Sequence, residues 1–207
     1  MPTQIGTATT WASASAGFYH VIARRTDGTI WAWGDNFANK LGGVTAFDRQ
    51  RVPAQIGSAA SWVFATAGHN HNFAIRSDGT LWGWGHNGGA QLGDGTAVNR
   101  AVPTQIGGAT NWSSVTGGNF HTIARKTDAT RWVAGYNANG QLGDGNIVPV
   151  LTLAQAGTDS NWLAISAGAL HSVAIKSDGT LWTWGQNVDG QLGDGTRVDR
   201  TVPVNVP

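Results

Sequence analysis

The sequence predicts an all-β protein made of β-propeller blades, four tandem four-stranded repeats of about 50 residues each. Three observations carry this. Trp11, Trp62, Trp112 and Trp162 recur at intervals of 51, 50 and 50 residues. Between them, runs of alternating apolar and polar residues are separated by Asp-Gly and Gly-rich turns, and no window has a helical period. The composition agrees: 207 residues include 30 Gly and 11 Trp, all twelve acidic residues are Asp, and only three are Lys. Glu and Lys fill exposed helix faces, whereas Gly, Asp, Asn and Thr belong to turns.

Taken in order through the second repeat, strand A starts at the recurrent tryptophan, Trp62–Ala67. A Gly-x-x-His element then turns the chain, as Gly17/His20, Gly68/His71, Gly118/His121 and Gly168/His171. Strand B is His71–Arg76; in its fourth copy His171, Val173 and Ile175 alternate with small or polar residues. Asp78-Gly79 closes a tight hairpin. Strand C, 80–84, ends on Trp-x-Trp-Gly-x-Asn, which weakens in the third copy to 132–137. Gln-Leu-Gly-Asp-Gly follows at 91–95, 141–145 and 191–195, decaying to Lys40-Leu41-Gly42-Gly43 in the first copy. Strand D is the Pro-containing segment of the 53–56 type, and proline suits an outer edge because it cannot donate to an inner ladder. The repeats run 2–52, 53–102, 103–152 and 153–202, with 203–207 completing the last outer strand, all in one domain. Residues 53–102 and 153–202 agree at 27 of 50 positions, and the first repeat carries one extra residue between 46 and 51.

A lone blade cannot bury its two faces, so the tryptophans of the Trp-x-Trp pairs (Trp31, Trp33, Trp82, Trp84, Trp182 and Trp184) read as structural mortar between blades, each able to bury ~150–250 Å². The repeated His20, His71, His121 and His171 also read as structural, buried near the A–B turn against backbone groups. Equivalent positions on neighbouring blades lie a blade width apart, too far to share an ion at ~2.0–2.1 Å.

Several function classes are excluded. A net charge of +1 with no basic face argues against nucleic acid. No apolar run is long enough for membrane insertion, and no cysteine is present for thiol chemistry or zinc–thiolate sites. No nucleophile elbow, acid/base pair or phosphate-cradling loop with Lys appears, so no catalytic residue, enzyme activity or cofactor is assigned. Asp94-Gly95-Thr96, Asp144-Gly145-Asn146 and Asp194-Gly195-Thr196 read as turn chemistry, because calcium needs 6–8 oxygens. His69 and His86 emerge at the same end of one blade without a third ligand, so no metal is assigned. Arg25, Arg76, Lys126 and Lys176 stand two residues before Asp27, Asp78, Asp128 and Asp178, which predicts a neutralised rim.

The run Ala-Gly-x-x-His … Ser-Asp-Gly-Thr-Leu-Trp-x-Trp-Gly-x-Asn … Gln-Leu-Gly-Asp-Gly resembles the regulator of chromosome condensation repeat family, over essentially the whole chain. The resemblance implies a β-propeller of this strand order; Kelch repeats share the period but not the signatures. Propellers of this family usually close with seven blades, and the founding member exchanges guanine nucleotide through a wedge-like insertion. Four repeats near 50 residues leave no room for that insertion, which disfavours exchange. Residues 2–6 read as an outer strand of a preceding blade. A section through a longer propeller, a half-ring completed by a partner chain and a closed small ring all remain open.

Strand order puts the A–B and C–D turns on one face. The residues there that vary between repeats are the candidate partner-binding set: Phe18, Tyr19, Asp35 and Phe37; His69, Asn70 and His86; Asn119, Phe120 and Tyr136; Leu170 and Gln186. The expectation is a non-catalytic scaffold that binds protein through this face, with a second copy of the chain as one partner. Two alternatives stand: a structural or adhesive part of an extracellular, cell-surface or viral assembly, and the disfavoured exchange factor. The competing reading of the residues between Gly and His is that they plug the central channel.

Overall fold

The recurrent Asp-Gly-Thr-x-Trp segment is a single hydrogen-bonded device, and it sets the geometry of each blade. Asp78 Oδ1 accepts from the Thr80 backbone N–H (3.0 Å) and hydroxyl (2.6 Å), and Thr80 Oγ1 accepts from Trp82 Nε1 at 2.9 Å. The same relay recurs at Asp27, Asp128 and Asp178. The tight turn consumes Thr80, so strand C of that blade begins one residue later than the sequence suggests, at Leu81.

The computed structural model describes residues 4, 6–44 and 48–206; the predicted outer strand at 2–6 lies largely outside the described residues. Sixteen strands form four antiparallel sheets, each ordered as in the sequence. Blade 1 is β1 (Trp11–Ala16), β2 (His20–Arg25), β3 (Ile30–Asp35) and β4 (Arg49–Gln55). Blade 2 is β5 (Trp62–Ala67), β6 (His71–Arg76), β7 (Leu81–Gly85) and β8 (Arg100–Gln105). Blade 3 is β9 (Trp112–Gly117), β10 (His121–Lys126), β11 (Arg131–Gly135) and β12 (Val150–Gln155). Blade 4 is β13 (Trp162–Ala167), β14 (His171–Lys176), β15 (Leu181–Gly185) and β16 (Arg200–Asn205). The outer strands start three or four residues before their prolines. Pro53, Pro103 and Pro203 sit inside strands at the sheet edge, where the missing N–H costs no ladder bond. Among the described residues the one helical element is a 3₁₀ turn, Phe37–Asn39.

The core lies between blades, not within them. Ile22, Ile30, Leu41 and Ile56 on the trailing face of blade 1 receive Trp62, Ala74 and Trp84 from the leading face of blade 2. The blade 3–4 core repeats this with Leu142 against Trp162 and Trp184. The middle junction departs because Ala134 replaces the second tryptophan. Phe73 and Leu153, the latter standing where other repeats have proline, supply the missing volume. A side chain on Gly93 would meet both Ala134 and Leu153.

Innermost strands β1, β5, β9 and β13 stand side by side around a channel. The result is an open arc. Ile175 and Leu181 on the trailing face of blade 4 are 37% and 39% exposed, whereas Ile75 and Leu81 in blade 2 are 2% and 0%.

Candidate binding face

The loops of the A–B/C–D face are tied down from below. Backbone bonds join successive A–B turns around the channel: Phe18 N–H to His69 O (3.1 Å), His69 N–H to Gly118 O (3.0 Å) and Asn119 N–H to Ala169 O (3.0 Å). In blades 2, 3 and 4 the C–D loop is folded around a buried Asn. Asn87 Nδ2 donates to Asp94 Oδ1 and to the carbonyls of Thr96 and Val98, while its Oδ1 accepts from Leu92 N–H. Asn137 and Asn187 repeat the pattern. Asp94 also accepts from Thr96 and pairs with Arg100 at 2.6 Å, so this carboxylate is engaged by N–H and O–H donors.

His20, His71 and His121 link neighbouring blades, whereas His171, also expected to be buried, is half-buried because no following blade covers it. His20 Nε2 meets Asn72 Oδ1 at 2.7 Å, and Asn72 Nδ2 donates to the Lys40 carbonyl at 2.7 Å. His121 meets the Ser172 hydroxyl at 3.1 Å, which donates to the Gln141 carbonyl at 2.8 Å. The indoles of Trp84 and Trp184 donate to those same two carbonyls. Burial pushes His20 down to about 4, and His71 and His121 down to about 3, with neighbouring histidines adding to the effect. These rings are neutral cross-links between blades.

Above this frame lie all five exposed aromatics of the described residues: Phe18, Tyr19, Phe37, Phe120 and Tyr136. They form two groups. In the first, Phe18 stacks on His69 with centroids 4.0 Å apart, and Tyr19 packs on Phe18 at 4.1 Å. In the second, His86 stands between Phe37 (6.1 Å) and Phe120 (5.9 Å). Beside it opens a depression of about 530 Å³ lined by His86, Gly88, Gly89, Phe120, Tyr136, Asn139 and Leu170. The residues between Gly and His divide their roles. Phe18, His69, Asn119 and Ala169 line the channel mouth, whereas Tyr19, Phe120 and Leu170 line depressions on the face.

Asp35 and Asn70 belong to a polar network at the blade 1–2 junction. The buried Lys40 ammonium contacts Asp35 Oδ2 at 2.6 Å and Asn70 Oδ1 at 2.7 Å. Lys40 was not among the residues singled out from sequence, although its replacement of the repeat's Gln marked it. Gln186 is half-buried and accepts from Gln191 at 3.4 Å, outside the depression. The two extra histidines do not form a ligand pair. Asn70 Nδ2 donates to His69 Nδ1 at 2.8 Å and Gln91 Nε2 to His86 Nδ1 at 2.7 Å, so both Nδ1 lone pairs are used. Among the described residues no group of three or more His, Cys, Asp or Glu is arranged to hold a metal.

Hydrogen bonds from the turn threonine lower the pKa of each hairpin aspartate, and the rim cations Arg25, Arg76, Lys126 and Lys176 add to this through space. Arg25, Arg76, Lys126 and Lys176 lie over Trp31, Trp82, Trp132 and Trp182 at 3.9, 3.9, 3.6 and 4.1 Å, as cation–π contacts. Among the described residues none of them forms an ion pair with its hairpin aspartate, because that carboxylate is taken by the Thr of the turn; Lys176 pairs instead with Asp159 at 2.8 Å.

An arc of blades with a rigid, aromatic-studded loop face defines a β-propeller repeat protein. The model of the Regulator of chromosome condensation (RCC1) repeat matches residues 27–75, 78–125 and 178–207, and a second model of the same repeat matches 11–39, 63–91 and 162–191. The chain belongs to this repeat family. Human HERC3, a probable E3 ubiquitin-protein ligase, is 36% identical over 81 residues, 38% of this chain and 8% of that protein. The mitochondrial RCC1 domain-containing protein RUG3 of Arabidopsis thaliana is 29% identical over 92 residues, 43% of this chain and 20% of that protein. Yeast RCC1 (Prp20), solved with Kap60, superposes with a TM-score of 0.87 at 21% identity, over 98% of this chain and 50% of that one. Human WBSCR16 gives 0.88 at 21% identity, over 99% and 55%. The chain thus spans about half the length of these solved propellers and a small part of the curated relatives.

Proposed function

We propose that the chain is a non-catalytic scaffold that binds a protein partner through the A–B/C–D face. The observation that carries this is the placement of every exposed aromatic among the described residues on that one face. Binding hot spots favour aromatic anchors, and Asn119 and Asn139 beside them offer adaptable hydrogen bonds. Loops tied down by buried Asn and interblade bonds are pre-organised, which lowers the entropy cost of association. The non-catalytic reading is supported by the same geometry: recurrent aspartates serve turns, and His20, His71 and His121 serve as neutral cross-links. Solved relatives use this fold toward proteins, since yeast RCC1 (Prp20) was solved with Kap60 and Prp20p was studied for binding to Gsp1p and histones. A second copy of the chain is also a protein partner, and it would use other surfaces.

The test is affinity capture with the intact chain, a Tyr19→Ser/Phe37→Ser/Phe120→Ser/Tyr136→Ser variant, and a Ser77→Arg/Ser177→Arg control altered at the opposite turns. Partners retained by the control and lost by the fourfold variant, at unchanged thermal stability, support the proposal. Equal capture by both variants refutes it.

A further inference from the structure

We propose that the depression shared by blades 2, 3 and 4 seats one large apolar side chain, phenylalanine or leucine, presented by an extended segment of a protein partner, with His86 and Asn139 hydrogen-bonding the peptide groups beside it. The proposal deepens the binding-face reading and rests on it.

The first observation is a pair of glycines that the backbone does not call for. Gly88 and Gly89 stand in the C–D loop of blade 2 where the other repeats carry Phe37-Ala38, Ala138-Asn139 and Val188-Asp189. Neither holds a positive φ, whereas Gly93 and Gly95 of the same loop do, at +68° and +84°. Glycine at such a position only adds to the entropy lost on folding. What it supplies is space. A side chain on Gly88 would meet His86 Nε2 at 2.9 Å, and one on Gly89 would meet Phe120 Cβ at 3.2 Å. His86 and Phe120 are both walls of the depression of about 530 Å³, within the ~300–1,000 Å³ usual for ligand sites. The equivalent place in blade 1 is taken: Phe37 replaces Gly88, and the Lys40 ammonium lies 5.9 Å from its ring, held by Asp35 and Asn70.

The second observation is that the polar groups of the site have fixed roles. Gly89 N–H donates to Gln91 Oε1 at 2.9 Å, which sets the orientation of that amide. Gln91 Nε2 therefore donates to His86 Nδ1 at 2.7 Å. The network assigns the proton of the neutral ring to Nε2, so His86 offers a donor. Burial holds this histidine below its usual range, which keeps the ring neutral at pH 7. On blade 3, Asn139 Nδ2 is committed to Asp199 Oδ2 at 3.2 Å, so Asn139 offers its Oδ1 acceptor.

These features select the occupant. A donor and an acceptor flanking the apolar walls of Phe120, Tyr136 and Leu170 complement a carbonyl and an N–H with an apolar side chain between them, which is what an extended peptide presents. A free aromatic molecule would satisfy the walls and leave both polar groups unused. A charged side chain would find no counterion. His86 is neutral, and both oxygens of Asp199 are taken, by Asn139 and by the Asn187 N–H, so burying a charge there is costly. The rings of Phe120 and Tyr136 favour an aromatic guest in an edge or offset contact.

The probe is a blocked pentapeptide, acetyl-Ser-Gly-X-Gly-Ser-amide with para-fluorophenylalanine at X, followed by fluorine NMR against the intact chain. A saturable shift with a dissociation constant of about 1 mM or tighter is expected, as one buried side chain and two hydrogen bonds allow. Unlabelled peptides with Phe or Leu at X should displace it, and those with Lys or Asp should not. Gly88→Val/Gly89→Asn, which installs side chains that the same loop carries in blades 4 and 3, should weaken binding about tenfold or more at an unchanged melting temperature. Tyr136→Ala, which leaves the loop as it is, should weaken it too. The amide-free para-fluorotoluene should bind less tightly than the peptide. The proposal is overturned by no saturable binding up to about 10 mM, by binding unchanged in both variants, by equal displacement with the Lys or Asp peptides, or by para-fluorotoluene binding as tightly as the peptide. The two readings fail separately. Partners lost by the fourfold aromatic variant yet retained by Gly88→Val/Gly89→Asn would remove this seat and leave the face reading standing, whereas capture unaffected by the fourfold variant refutes the face itself.

Discussion

Replacing Ala129 with glycine should stabilise the protein, and the reason can be followed through one hairpin. Ala129 holds φ = +62° at the turn position that Gly28, Gly79 and Gly179 occupy at +80°, +77° and +85°. An L side chain in this left-handed region costs about 1–2 kcal/mol. Glycine returns about 0.5–1 kcal/mol of that in the backbone entropy it loses on folding. A second effect acts across the junction. A side chain on Gly79 would run into the Thr110 carbonyl, and one on Gly28 into that of Ala60. Relief of strain, less the entropy returned, gives a gain of about 0.5–1 kcal/mol for Ala129→Gly. The reciprocal Gly79→Ala should cost about 2 kcal/mol or more, because it adds both the strain and the collision. Urea unfolding followed by tryptophan fluorescence reads both as shifts of the midpoint at constant slope. A destabilised Ala129→Gly, or a neutral Gly79→Ala, would refute the reasoning.

Acid should unfold the protein through its histidines. Burial lowers His20 to about 4 and His71 and His121 to about 3, so the unfolded chain binds more protons below about pH 6.5. Their contribution is complete above that pH and is lost as pH falls toward the folded values, by up to about 1.4 kcal/mol per pH unit for each ring; flat urea midpoints between about pH 7.5 and pH 5 would contradict this. Asn72→Ala should cost about 1–2 kcal/mol, since it strands the His20 ring at a buried junction while the Lys40 carbonyl keeps the Trp84 indole, and a denaturation midpoint equal to that of the intact chain would count against it. Arg131 occupies the place of Leu81 and Leu181, donating to the carbonyls of Leu142 and Gly143 with its guanidinium over Trp184. Arg131→Leu should therefore stay within about 1 kcal/mol, because it removes a desolvated charge along with its bonds. Arg131→Ala should lose about 3 kcal/mol to the cavity left beneath Trp184, and equal stability of the two variants would exclude this account.

Much of the fold was legible because the repeat states each device four times. Asp-Gly-Thr marked the hairpins, and the positions of strands A and B were read to the residue. The sequence sets strand C one residue early because Thr80 looks like a strand residue, while its hydroxyl is held by the turn. The candidate face was legible as the loop positions that vary between repeats, but its internal division was not. Phe18 and Tyr19 are adjacent in sequence, yet only the curvature of the arc makes one line the channel mouth and the other the outer face. Lys40 is not legible as a site residue, because a lone lysine in a decayed motif looks like a surface residue until Asp35 and Asn70 converge on it. The charge balance of the rim is legible in the Arg/Lys-x-Asp spacing, whereas the indole under each cation is a contact that only the folded blade reveals.

By itself the sequence determined the blade: local hydrogen bonds and a two-residue alternation need no distant partner, so a fifty-residue period is enough to specify four strands and their turns. Only the tertiary structure decided what lies between blades, because that core is shared by residues about fifty positions apart and its volume is balanced jointly. Phe73 and Leu153 make up for Ala134 across one junction, Arg131 substitutes for leucine across another, and the faces at the two ends of the arc are left open.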